Sequence, residues 1–126
     1  MLIGTSLRES GQYAASLDAL TGALEQARTT KAEVLEASIL IEIGSTCLPI
    51  DDHESAAEVL TEGVAIAARY PKEQQEAVGR QLLGRALAGL GMVAEARAEW
   101  AKAIALYDRV ADPRAGEVRG LLRGEG

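Results

Sequence analysis

The stretch 83-LGRALAGLGMVAEARAEWAKAIALYDRVADP-113 reads as two helices folded back to back around one glycine. After Gly91 the residues Val93, Ala96, Trp100, Ala103, Ile104 and Tyr107 return at intervals of three and four, which places them on one face of a helix. Leu83, Gly84 and Leu87 mark the helix before it. Nowhere does the chain alternate apolar and polar residues with period two over a useful length, so strands are not expected.

Working outward, the pattern returns at a fixed interval of forty positions. Gly4, Gly44 and Gly84 share that spacing, and each is followed seven positions later by a turn residue, Gly11, Asp51 or Gly91. Ile3, Ile43 and Leu83 precede the glycines, and Leu7, Cys47 and Leu87 follow them. Further on, Ser16, Ala56 and Ala96 are small, Leu20, Leu60 and Trp100 are large and apolar, and Ala23, Gly63 and Ala103 are small again. A period of this length is the mark of a stacked array, in which each unit buries its apolar face only against its neighbours. The expected fold is all-α: about three antiparallel helix pairs in a superhelix, with a short C-terminal capping helix. One domain, 1–126, divides into repeat 1 at about 1–29 with a shortened first helix, repeat 2 at about 30–70, repeat 3 at about 71–112, and the capping helix at about 113–126.

Helix boundaries follow from local chemistry. The expected helices are 1–9, 13–28, 31–48, 52–69, 72–90, 93–110 and 114–123. Thr30 with Glu33, and Asp51 with Glu54, have the spacing of a capping box, while Pro71 and Pro113 suit first-turn positions. Gly44 and its column lie inside helices, where glycine costs about 1 kcal/mol relative to alanine. Its recurrence there points to sites where paired helices touch.

Composition removes several classes of function. Thirteen basic residues against 19 acidic ones give a net charge of −6, which repels a polyanion such as nucleic acid. The most apolar run, 34-VLEASILIEIGSTCLPI-50, carries Glu36 and Glu42, so no membrane span is expected. One cysteine, Cys47, makes no internal disulfide and fits a cytoplasmic setting. It shares a column with Leu7 and Leu87 and reads as a core thiol.

The segment 79-GRQLLGRALAGLG-91 comes within two substitutions of the phosphate-loop pattern G-x-x-x-x-G-K-[ST]. Arg85 stands where lysine is required, Ala86 where serine or threonine is, and the preceding residues are helical in pattern, so no nucleotide is expected there. His53 in 51-DDHES-55 reads as a first-turn residue beside a capping aspartate, not a metal ligand. Trp100 reads as packing. With no defensible catalytic set, the chain is expected to be non-enzymatic, with no cofactor and no metal.

The large-small pair 83-LG-84, the turn glycine seven residues on, and the Ala96, Trp100, Ala103 series resemble the tetratricopeptide repeat, and the resemblance covers nearly the whole chain. It implies stacked antiparallel helix pairs whose first helices line a groove that holds a protein or peptide. On that geometry the lining residues are Thr5, Arg8, Glu9, Ser38, Ile41, Glu42, Ser45, Gln74, Gln81 and Arg85. Two departures stand out. The family's usual period is about 34 residues, so the helices here are longer; and Leu40 and Arg80 occupy positions where the family often has tryptophan. The chain has no asparagine, and its lysines lie outside the groove, which disfavours the chaperone-tail binding of one branch of the family. The wording of repeat 3 also resembles the C-terminal arrays of actinobacterial antibiotic-regulatory and NB-ARC-type transcription regulators. That likeness implies a regulatory interaction module within a larger protein, or alternatively a sensor that encloses a peptide or small molecule and changes superhelical pitch. The shortened first helix leaves Leu2, Ile3 and Leu7 poorly covered, so either further repeats upstream or self-association through this end is expected.

Overall fold

The computed structural model describes the backbone of residues 2–70 and 72–124, and the side chains of residues 11–70 and 72–124. Six α-helices and no strand occur among them: α1 (Leu2–Thr29), α2 (Glu33–Cys47), α3 (His53–Ala68), α4 (Glu73–Gly89), α5 (Val93–Arg109) and α6 (Arg114–Leu122), with a single 3-10 turn at Leu48–Ile50 between α2 and α3. Each helix packs chiefly on the next in sequence, and α2 also touches α4. The all-α expectation holds, and the helix-pair packing is that of a helical repeat.

Four of the chain reversals use the same device. After α1, after the 3-10 turn, after α4 and after α5, one residue adopts a left-handed conformation: Lys31 (φ 58°), Asp51 (φ 59°), Gly91 (φ 82°) and Ala111 (φ 55°). In each case the next amide donates to a carbonyl five residues back: Ala32 to Ala27 (2.9 Å), Asp52 to Cys47 (3.1 Å), Met92 to Leu87 (2.9 Å) and Asp112 to Tyr107 (2.8 Å). This is the Schellman closure, which satisfies carbonyls that the helix end would otherwise orphan. The end of α3 differs: Arg69 and Tyr70 donate to Ile66 and Ala67 instead. The sequence has Pro71 in the corresponding column, a residue with no N–H and a fixed negative φ. Pro71 itself lies outside the described residues.

The capping expectations need correction. Asp52, not Asp51, caps α3, its side chain accepting from the amide of Ser55 at 3.3 Å, because Asp51 is used for the left-handed turn. Thr30 does not cap α2; its hydroxyl donates back to Gln26 O at 3.0 Å and closes the end of α1, leaving Ala32 at the N-cap without a side-chain bond. Pro113 sits at the N-cap of α6, one position before the first turn.

The expected break at Gly11 is absent. Residues 2–29 form one helix, and Gly11 lies within it with a non-positive φ and nothing within 4 Å of the place where a Cβ would stand. No proline interrupts this stretch, and one exposed glycine costs a helix only about 1 kcal/mol. At Asp51 and Gly91 the reversal lets the two helices it joins bury Leu60 and Trp100. At Gly11 the helical hydrogen-bond ladder continues.

Recurrent small residues do bring the paired helices together. A Cβ on Gly44 would lie 2.3 Å from Cγ of Leu60, and one on Gly84 would lie 2.3 Å from Nε1 of Trp100. Leu60 and Trp100 are themselves one period apart, so repeats 2 and 3 make the same crossing with different side chains. Gly79 and Gly89, which have Ile39 and Pro49 one period earlier, are contact sites as well. Gly79 on α4 faces Val64 and Ile41, while Gly89 faces the imidazole of His53, the first residue of α3.

The core forms two joined parts. One runs from Leu24 and Ala27 on α1 through Leu40, Ile43 and Cys47 on α2 to Leu60, Ile66 and Leu83. Burial pushes the Cys47 thiol pKa up, with a smaller push from the Asp52 charge, so the group is a core thiol as its column predicts. The other part joins α4, α5 and α6 through Ala77, Trp100, Leu106, Tyr107, Ala115 and Val118. Val118 is fully buried and Leu121 and Leu122 pack beside it, so α6 covers the far face of α5 as expected of a cap.

Candidate functional site

The first helices of repeats 2 and 3, α2 and α4, carry the expected partner-facing residues. Ser38, Glu42 and Ser45 lie at helical spacing on α2 and are exposed, as are Gln74 and Arg85 on α4. Two expected lining residues are not on this surface. Ile41 is 7% exposed and packs against Gly63 and Gly79, whose missing side chains leave it a slot between α3 and α4. Gln81 is half-buried, its side-chain oxygen accepting from the Tyr107 hydroxyl at 2.8 Å and its carbonyl from Trp100 Nε1 at 3.2 Å, so it joins α4 to α5. Thr5, Arg8 and Glu9 have side chains outside the described residues.

Charge pairing separates committed groups from uncommitted ones. The carboxylate of Glu33 at the start of α2 binds Arg69 (2.7 Å) and accepts from the Tyr70 hydroxyl, at the end of α3. Glu73 at the start of α4 binds Arg109 (3.1 Å) at the end of α5. These pairs occupy equivalent positions in successive repeats and tie the two helices of each repeat together at one end. The Tyr70 hydroxyl, followed by the Arg69 guanidinium, holds Glu33 below the usual glutamate range. Arg80 bridges Glu76 and Glu99, each at 2.8 Å, between α4 and α5. It fills with an ion pair the position where Leu40, in repeat 2, is fully buried.

Gln74 donates to Asp112 at 2.7 Å, and Asp112 also holds Arg114, whose guanidinium lies 5.1 Å from the Tyr107 ring centre. Arg28 binds Glu36 and Glu62, Arg97 binds the Leu122 carbonyl, and Arg119 binds Asp108. Arg123 is also engaged. Among the described arginines, Arg85 alone makes no hydrogen bond or ion pair, and within the described residues the side chains of Ser38, Glu42 and Ser45 make none either.

Beside this stripe the surface is hollowed. One depression of about 420 Å³ lies between Val34, the α4 start at Lys72–Gln75, and Val110. Another, of about 520 Å³, is lined by Val34, Leu35, Ser38 and Tyr70. Val34 and Leu35 are 38% and 54% exposed, so the first turn of α2 adds apolar surface next to the polar stripe. Sequence reasoning passed over Val34, Leu35 and Tyr70. Their signal was the forty-residue interval itself, which leaves room before Gly44 for the helix turn that carries Val34 and Leu35.

His53 begins α3 as expected, with its Nε2 3.8 Å from Asp51. Among the described residues no group of three or more His, Cys, Asp or Glu side chains is placed to hold a metal ion, and no helix is long and apolar enough to cross a membrane. No family model, curated protein or solved structure matches the chain.

Proposed function

We propose that the chain is a non-enzymatic, tetratricopeptide-type interaction module that binds a protein or peptide segment along α2 and α4, as the regulatory part of a bacterial signalling or transcription protein in the cytoplasm. The observation that carries the reading is Arg85. In a chain where the other described arginines are engaged, this exposed guanidinium on α4 is left open, as are the side chains of Ser38, Glu42 and Ser45 on α2. Guanidinium is suited to a carboxylate because its planar fork makes two parallel hydrogen bonds. The apolar surface at Val34 and Leu35 adds area that a peptide side chain can cover. The recurring columns support the repeat-family likeness, and the wording of residues 83–122 supports the regulator setting.

The test is a cross-linked capture from the source cell with the wild-type chain and with Arg85→Glu. A binding partner retained by the wild type and at least tenfold depleted by Arg85→Glu is expected. Recovery of the same proteins at the same level by both sinks the reading. Since Arg85 is exposed and unpaired, circular dichroism of the variant should match the wild type.

A further inference from the structure

The flank between α1 and α2 carries a second apolar groove, of about 520 Å³, lined by Leu20, Ala23 and Ala27 on α1 and by Leu35, Ile39 and Glu42 on α2. The internal repeat identifies what such a surface holds. Moved forward by one period, these six positions become Leu60, Gly63, Ala67, Gln75, Gly79 and Leu82, among which Leu60, Gly63 and Gly79 form the seat of α2 on α3 and α4. There Gly44 of α2 meets Leu60, while Leu40 and Ile41 meet Gly63, and Ile41 meets Gly79. Leu60 is fully buried beneath α2, whereas its counterpart Leu20 is partly open and Leu35 is 54% exposed. The molecule thus contains one filled copy of the seat and one unfilled copy.

We infer that the α1/α2 groove is a docking site for an amphipathic helix of a partner protein, bound antiparallel to α1 as α2 is bound to α3. The differences between the two copies define that helix. Leu20 in the place of Leu60 calls for a small residue where α2 has Gly44. Ile39 in the place of Gly79 fills the slot that Ile41 enters, so the incoming helix needs a second small residue three positions before the first. Ala23 in the place of Gly63 adds a Cβ where the filled seat leaves only 3.2 Å to the Leu40 Cβ and 3.3 Å to the Ala37 carbonyl, so the incoming helix rides a few tenths of an ångström farther out at that point.

Charge fixes direction. The N-terminal end of the docked helix reaches the end of α1, where Thr29 and Thr30 stand in place of the Arg69 and Tyr70 that hold Glu33 in the filled seat, with the exposed, unpaired Lys31 beside them; a carboxylate in its first turn fits there. A helix from a second copy does not supply this pattern from α2 to α6, because each of these helices already packs on its neighbours. The site shares Leu35 and Glu42 with the surface of the proposed function but does not include Arg85, so the Arg85→Glu capture and the Leu20→Glu titration test the two separately.

The probe is a synthetic peptide of residues 31–48 carrying Ile41→Ala, titrated into the intact protein by fluorescence anisotropy. Micromolar binding is expected, at least tenfold weaker for the protein variant Leu20→Glu and for a peptide with Gly44→Leu. A charge-reversed pair supplies the control that does not depend on the core: Lys31→Glu weakens binding, and a peptide with Glu33→Lys restores it. Absence of binding to a protein that is folded by circular dichroism overturns the inference, as does equal binding to Leu20→Glu. A protein that sediments as a dimer by itself and becomes monomeric in Leu20→Glu also overturns it, since the groove then belongs to a second copy.

Discussion

Thirteen glycines in one chain do unlike things. Gly44 and Gly84 stand at helix crossings where a methyl group has no room, and Gly11 and Gly22 stand in α1 with nothing near them. The same substitution should therefore have opposite effects. Gly44→Ala forces Leu60, which is fully buried, out of its rotamer, and Gly84→Ala does the same to the rigid indole of Trp100; each should lose about 1–3 kcal/mol in urea unfolding, as overpacked cores do. Gly11→Ala and Gly22→Ala meet open space and should gain up to about 1 kcal/mol each from helix propensity. Equal losses at all four positions would mean that the crossings are not where the recurring columns put them. At Gly44 and Gly84 sequence and structure agree closely, because a repeated column averages out local accident; the surroundings of Gly4, the third member of the column, lie outside the described residues. Gly79 and Gly89 had no repeat partners, and only the positions of Ile41, Val64 and His53 explain them.

At the scale of elements, the acidic residues at helix ends give the fold a pH dependence. Asp112 accepts from the Arg114 guanidinium, then from the Arg114 backbone amide, then from Gln74, and its carboxyl is held well below the usual aspartate range. A carboxylate whose pKa is lower in the folded than in the unfolded state contributes stability that is fully present above the ordinary aspartate value near 4 and is lost as pH falls toward the folded value. The melting temperature should therefore fall as pH is lowered from about 5 to about 2, and Asp112→Asn should flatten that limb while lowering the plateau. An unchanged acid limb in Asp112→Asn would remove this residue from the account. Such ends were only partly legible. The Glu33–Arg69 and Glu73–Arg109 pairs lie 36 residues apart in sequence, a separation that no local rule points to. The continuous α1 escaped reading for another reason: Gly11 matches Asp51 and Gly91 by column, but column identity does not force a left-handed residue, and Gly11 keeps a helical place in α1.

Across the whole molecule, stability is a sum over neighbouring helices with a cap at one end. Val118 is the most enclosed residue of α6 and packs in the cluster that contains Trp100 and Tyr107. Val118→Ala should cost about 1–2 kcal/mol, and removing residues 113–126 should cost more, because Tyr107 and Leu106 then face water. Chemical denaturation of both forms checks this; a truncated chain as stable as the full one would show that α6 does not cap the array. The successive packing of the helices has a kinetic consequence as well. The main partners of each helix lie within one or two elements along the chain, so few distant segments must find each other before contacts form. Folding from denaturant should finish within milliseconds or faster, at the pace of other domains of low contact order, with no slow search for remote pairings.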